Sequence, residues 1–251
     1  MSPLRPLIAA ALLLLGACAA RPPAGDADAL AEYQANNDPI EPTNRFFYRI
    51  NDGLDTYLLA PVARGYRYAV PEVVRRPIHN VLANITTPVI FANDVLQARP
   101  RRAGDSMMRF LINSTAGVGG LFDVASGLGY PEHDSGFGTT LALWGVGEGP
   151  FLFLPVLGPS NPRDAAGFAG NLVLDPLTFA TFGGSQTLSI TRFAAAAVDG
   201  RERVLDPVDN IKKSALDPYA TFRSLYRQNR QSEIDARRVP DTATVPAWFK
   251  R

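Results

Sequence analysis

Apolar positions recur along most of this chain with the spacing of helix faces rather than the alternation of strands. In PTNRFFYRINDGLDTYLL, Phe46, Phe47, Ile50, Leu54, Tyr57 and Leu58 share one helical face, and Pro42 suits a first turn. Arg45, Arg49, Asp52 and Asp55 occupy the opposite face. RRPIHNVLANI sets Ile78, Val81, Leu82 and Ile85 at i, i+3, i+4 and i+7, and Pro88 predicts a fresh start in PVIFANDVLQA. GDSMMRFLINST predicts a helix capped near Asp105, while GGLFDVAS and GTTLALWG are short and bounded by glycine. SQTLSITRFAAAAVDG is longer, and DPYATFRSLYRQNRQSEID offers Asp217 as N-cap with Pro218 in the first position. Alternating patterns are scarce. The expected fold class is mainly α, a single domain of short amphipathic helices.

One segment breaks the pattern. GEGPFLFLPVLGPSNPRD, residues 147–164, concentrates apolar side chains between Gly-Pro punctuation. Pro155 excludes an ordinary helix interior and argues against a central strand. Phe151, Leu152, Phe153 and Leu154 therefore either fill a core at a buried crossing or form a surface made for something apolar. The first helix leaves a similar choice open: an aromatic face opposite charged residues packs on a core or lies in a membrane interface.

The N-terminus changes the picture. Arg5 and the run LIAAALLLL read as a targeting segment, too short to span a bilayer of about 30 Å. LGAC, ending at Cys18, resembles a bacterial lipobox, which implies cleavage before Cys18 and acylation of that residue. Cys18 is the only cysteine in 251 residues, so the chain forms no internal disulfide. Several acyl chains make a stable anchor. Ala19 after the cysteine implies sorting to the outer membrane, on its periplasmic side. The expected organisation is a signal peptide over 1–17, a lipidated tether over 18–39, a helical domain over 40–235 and a disordered tail over 236–251.

Charge and candidate chemistry then narrow the function. A net charge of +1 gives no basic field for nucleic acid. The two histidines, His79 and His133, lack metal-site spacing, and neither GVGG nor GVGEG leads into a phosphate-binding Lys-Ser/Thr. PEHDSGFG puts Glu132, His133, Asp134 and Ser135 in a row, but a triad needs residues converging from separate elements. No enzyme is expected, and no cofactor beyond the lipid on Cys18. Lipid hydrolysis at the Glu132–Ser135 loop and a structural role organising other envelope proteins are the alternatives.

Four stretches in order carry a resemblance that spans nearly the whole mature chain: NDPIEPTNRFFYRIND, FLINSTAGVGGLFDVAS, FGTTLALWGVGEGPFLFLPVLGPSNPRD and DPYATFRSLYR. Together they resemble the VacJ/MlaA family of outer-membrane lipoproteins. The resemblance implies a helical ring embedded in the inner leaflet of the outer membrane around an amphipathic channel. It implies removal of misplaced phospholipid from the outer leaflet, handover to a soluble periplasmic carrier, and association with a trimeric porin. In that frame Asn44, Phe46 and Phe47 are candidates for controlling lipid entry. Phe151, Leu152, Phe153 and Leu154 become candidates for the lipid path or membrane contact. Arg163 either meets a lipid phosphate or serves a structural pairing with Asp164.

Overall fold

Prolines and caps set most helix starts in this computed structural model, which describes residues 36–238 together with Asp26, Leu30 and Tyr33. Cys18 lies outside the described residues. Helix α1 (Glu41–Leu54) carries Pro42 in its first turn, where a missing N–H leaves no bond unmade. It runs through a π-helical turn (Asp55–Leu59) into α2 (Ala60–Ala69). The widened turn ends two residues before Pro61, which cannot donate to the carbonyl one turn back.

Helix α3 (Glu72–Leu96) is continuous and contains both Pro77 and Pro88. The fresh start predicted at Pro88 is therefore corrected: tertiary packing along the helix outweighs one missing ladder bond. The chain then reverses into α4 (Pro100–Thr115), which begins at Pro100 rather than near Asp105. Cross-links run antiparallel between the two helices, from Ser106 to Asp94 at 2.7 Å and from Asn84 to Ser114 at 3.0 Å. A short α5 (Val124–Gly127) is capped by the Asp123 carboxylate. Next come α6 (Phe137–Leu143), strands β1 (Leu152–Leu154) and β2 (Gly158–Ser160), and α7 (Pro162–Leu174) with Asn161 as N-cap. Helices α6 and α7 meet so closely that a Cβ on Gly167 would lie 2.5 Å from the Gly138 Cα. The chain continues through α8 (Ser185–Arg203), α9 (Leu205–Ser214) and α10 (Pro218–Arg238). Asp217 caps α10 as predicted, its carboxylate accepting from the Ala220 N–H at 3.1 Å.

The apolar segment around Pro155 forms an antiparallel hairpin, with Phe153 opposite Pro159 and Pro155 in the turn. Phe151 and Phe153 are 2% and 6% exposed and pack with Tyr219 of α10 as the aromatic core. Phe47, Tyr48 and Tyr226 close around them; the Tyr48 and Phe153 rings meet edge to face at 5.5 Å. Lipid contact by Phe151 and Phe153 is thus corrected: alternation through β1 and the residue before it sends both rings inward, and Leu152 and Leu154 are half-buried.

Asn44 is also corrected. It is 1% exposed and holds the hairpin rather than guarding an entrance. Its Nδ2 donates to the Phe151 carbonyl at 2.9 Å and to Asp38 at 2.7 Å, and its Oδ1 accepts from the Phe153 N–H at 2.8 Å. Two helical turns on, Asn51 repeats the pattern, donating to the Leu154 carbonyl and accepting from the Val156 N–H, both at 2.7 Å. Side-chain amides on one face of α1 therefore satisfy the edge of β1 as a third strand would.

Both ends of the expected domain shift. The tether does not extend to residue 39: Asp38 is buried and accepts from Arg223 at 2.8 Å, and the Asn37 carbonyl accepts from the Phe151 N–H at 2.7 Å. The tail does not begin at 236, because α10 continues to Arg238 with Arg237 buried.

Candidate functional site

The helices around α4 are inverted relative to a water-soluble bundle. In α4 the buried face carries Ser106, Arg109 and Asn113, while Met107, Met108 and Leu111 are exposed. In α1 Asn44 faces in and Phe46, Ile50 and Leu54, spaced by one turn each, face out. Val73, Val173, Phe179 and Ile190 add to this exterior, each more than half exposed. Among the described residues, polar and charged side chains outnumber apolar ones in the buried set. An apolar exterior of this extent marks a surface for lipid or protein. No described helix is long and apolar enough to cross a membrane.

The polar side of the helices borders two adjoining, partly open cavities. The first, about 300 Å³, lies between α3, α4 and α8 and is lined by His79, Ala83, Arg109, Glu132 and Asp199 among others. The second, about 460 Å³, lies between α3, α7 and α10 and is lined by Val89, Phe168, Leu172, Arg192 and Arg230 among others. Thr86, Ile90 and Asp134 line both, so they mark the junction. Each wall mixes aliphatic and ionic side chains.

The ionic groups are held in place. Arg109 is buried and donates to the Tyr130 carbonyl at 2.5 Å, to Ser126 at 2.9 Å and to Asp123 at 3.3 Å. Burial opposes ionisation of Asp164, yet Arg230 gripping both carboxylate oxygens (2.8 and 2.9 Å) and Tyr226 at 2.6 Å hold its carboxyl below the usual range. Burial and then that carboxylate push the Tyr226 hydroxyl strongly upward. Glu132, helped by Asp199, raises the pKa of His79 against the effects of burial and of Arg203.

The loop with the hydroxyl, imidazole and carboxylate does not assemble a relay. His133 Nε2 meets Asp94 at 2.8 Å and Ser106 at 3.2 Å, so acid and hydroxyl share one ring nitrogen. A relay needs them on opposite nitrogens. The Ser135 hydroxyl instead accepts from Gln97 at 2.9 Å.

A family model described as MlaA lipoprotein matches residues 36–233. The chain belongs to the MlaA lipoprotein family. The intermembrane phospholipid transport system lipoprotein MlaA of Haemophilus influenzae is 31% identical over 214 residues, 84% of either chain. The protein of the same name in Escherichia coli K12 is 32% identical over 209 residues, 81% of either chain. A Rickettsia bellii protein is 36% identical over 198 residues, 78% of this chain and 76% of its own. A solved structure from work on the structural basis for maintenance of bacterial outer membrane lipid asymmetry matches with a TM-score of 0.69 at 31% identity. It covers 78% of this chain and 98% of the other.

Within this MlaA-family fold the residues singled out in the sequence scatter. Phe46 is on the exterior and Phe47 packs against the aromatic core. Asn44, Phe151 and Phe153 belong to the hairpin end and line neither cavity. Arg163 is 7% exposed, lies outside both cavities and donates to Asp164 at 3.2 Å, which corrects the head-group contact to the structural pairing. Its neighbour Asp164 lines the second cavity. Sequence reasoning missed Thr86, Ile90, Arg109 and Asn113. A signal existed for α4: Ser106, Arg109 and Asn113 form a polar stripe at i, i+3 and i+7.

Proposed function

We propose that this chain is an outer-membrane lipoprotein, anchored through Cys18 on the periplasmic side, that withdraws phospholipid misplaced in the outer leaflet. It passes that lipid to a soluble periplasmic carrier, beside a trimeric porin, and so maintains lipid asymmetry. It does so without covalent chemistry. The inversion of the helices carries the reading: apolar stripes face outward while two adjoining cavities with ionic and aliphatic walls lie inside. A body with this exterior fits embedding at a membrane interface. Cavities of about 300 and 460 Å³ have the size of small-ligand sites, so the head group and glycerol occupy them while acyl chains stay against apolar wall. The named MlaA relatives support the same assignment.

Thr86 tests the passage because it lines both cavities on an exposed face of α3. Surface-exposed phospholipid is measured in cells lacking the protein and in cells complemented at matched levels. Wild type is expected to restore asymmetry, whereas Thr86→Trp, which plugs the junction, is expected to leave exposure at the null level. Full rescue by Thr86→Trp would exclude this passage.

A further inference from the structure

Residues 130–136, between α5 and α6, have no regular secondary structure, and Glu132 to Gly136 of this segment lie between the cavities. Glu132 and His133 line the first cavity, Ser135 and Gly136 the second, and Asp134 both. Arg109 holds the Tyr130 carbonyl and Gln97 the Ser135 hydroxyl, and two further fastenings depend on the only two histidines in the chain. His133 Nε2 sits 2.8 Å from Asp94 and 3.2 Å from Ser106. His79 Nε2 sits 3.7 Å from Glu132 Oε1, and its Nδ1 sits 2.9 Å from Asp199 Oδ2.

The two fastenings respond differently to a proton. A neutral imidazole with its hydrogen on Nε2 still donates to Asp94, so the His133 anchor survives loss of charge. His79 is hydrogen-bonded to Asp199 at Nδ1 and within ion-pair range of Glu132 at Nε2, and only the imidazolium presents an N–H to both. Once neutral, it turns a lone pair toward one of them. The Asp199 side chain is 9% exposed and that of Glu132 is 53% exposed, so Glu132 is the one that can rotate into water.

The surrounding charges are accounted for. From α8, Arg203 approaches Asp199 at 3.4 Å and opposes the imidazolium. From α4, Arg109 favours ionised Glu132, and from the N-cap of α5 Asp123 opposes it. On the histidine's own helix, Arg75 pairs with Glu202 of α8. The pair of carboxylates outweighs burial and Arg203, so His79 holds its proton above the ordinary imidazole range.

We infer that residues 130–136 are a proton-operated partition, fastened across the passage while His79 is charged and released at Glu132 when His79 is neutral. The inference rests on the transport reading and assigns its regulation.

The mature acylated protein in nanodiscs is examined by hydrogen exchange at about pH 5.5 and about pH 9, the upper value set well above the ordinary imidazole range because the His79 pKa is raised. After correction for intrinsic exchange, amides of residues 131–135 are expected to exchange roughly two- to fivefold faster at the higher pH, the scale of a partly exposed ion pair. His79→Gln and, independently, Glu132→Gln should exchange fast at both values, while His133→Gln should keep the pH ratio. Equal corrected exchange at both pH values in the wild type would overturn the partition. In parallel, fluorescent phosphatidylethanolamine is transferred from phosphatidylethanolamine–phosphatidylglycerol vesicles. Transfer should rise with pH by a similar factor and be flat in His79→Gln. A responsive loop with pH-independent transfer would overturn the gating. A responsive loop with no transfer at any pH would support the partition and overturn the transport reading.

Discussion

The two ends of this molecule use apolar residues in opposite ways. Around the hairpin, Phe151, Phe153 and Tyr219 are buried and their polar neighbours satisfy backbone groups. Between α3 and α4, the buried positions go to Ser106, Arg109, Asn113 and Asp94, and methionine and leucine face out. The same amphipathic periodicity produces both. What differs is what lies on the apolar side: the protein's own core in one case, the molecule's exterior in the other. Periodicity locates the stripe and says nothing of which way it points.

Substitutions can break or sharpen that contrast. The largest effect is expected at the hairpin, where Phe151→Ala should lower unfolding free energy by about 3–5 kcal/mol as an emptied aromatic site. Chemical denaturation measures it, and a loss below about 1 kcal/mol would place Phe151 outside the cooperative core. An intermediate effect is expected at Asp164, which links α7 to α10 beside the second cavity. Asp164→Asn should cost about 2–3 kcal/mol near neutral pH, the scale of charged hydrogen bonds. Because the folded carboxyl lies below its ordinary value, that stability is present above the unfolded value of about 3.9 and lost as pH falls through the lower folded value. Wild-type and variant unfolding curves should therefore converge only below about pH 4, and a constant offset into stronger acid would contradict the assignment. The smallest effect on folding belongs to the exterior. Phe46→Ser, at a position 52% exposed, should change stability by less than about 0.5 kcal/mol. Its binding to lipid vesicles, compared without the acyl anchor, should weaken severalfold. Unchanged partition would remove α1 from the lipid-facing surface.

Much of the architecture was legible in the sequence, for reasons that differ by element. Asp217 and Pro218 announce the start of α10 through local capping, which needs no partner. Pro155 correctly denied both regular elements, because a turn is what remains. Pro88 misled, since packing of α3 overrides a local breaker. The site was far less legible. The junction formed by Thr86, Ile90 and Asp134 is made by three-dimensional convergence of α3 with a loop some forty residues further on, as roughly expected for a site built on separate elements. Asn44 was conspicuous in an aromatic run, but its role depends on a hairpin more than a hundred residues away.

The π-helical turn at Asp55–Leu59 works as a phase shifter. Inward positions along α1 step through Asn44, Tyr48, Asn51 and Asp55 by threes and fours, then jump five to Ala60 before resuming at Ala63 and Arg67. A helix advances about 100° per residue, so that single extra residue resets which side of α2 meets the protein. Without it, the inward line would run through Val62, now 45% exposed, and Arg67 would turn away from Glu202, to which it donates at 2.8 Å. Chain length at this one turn thus encodes a rotation, and a sequence aligned across it without a gap would assign inside and outside wrongly for everything on α2.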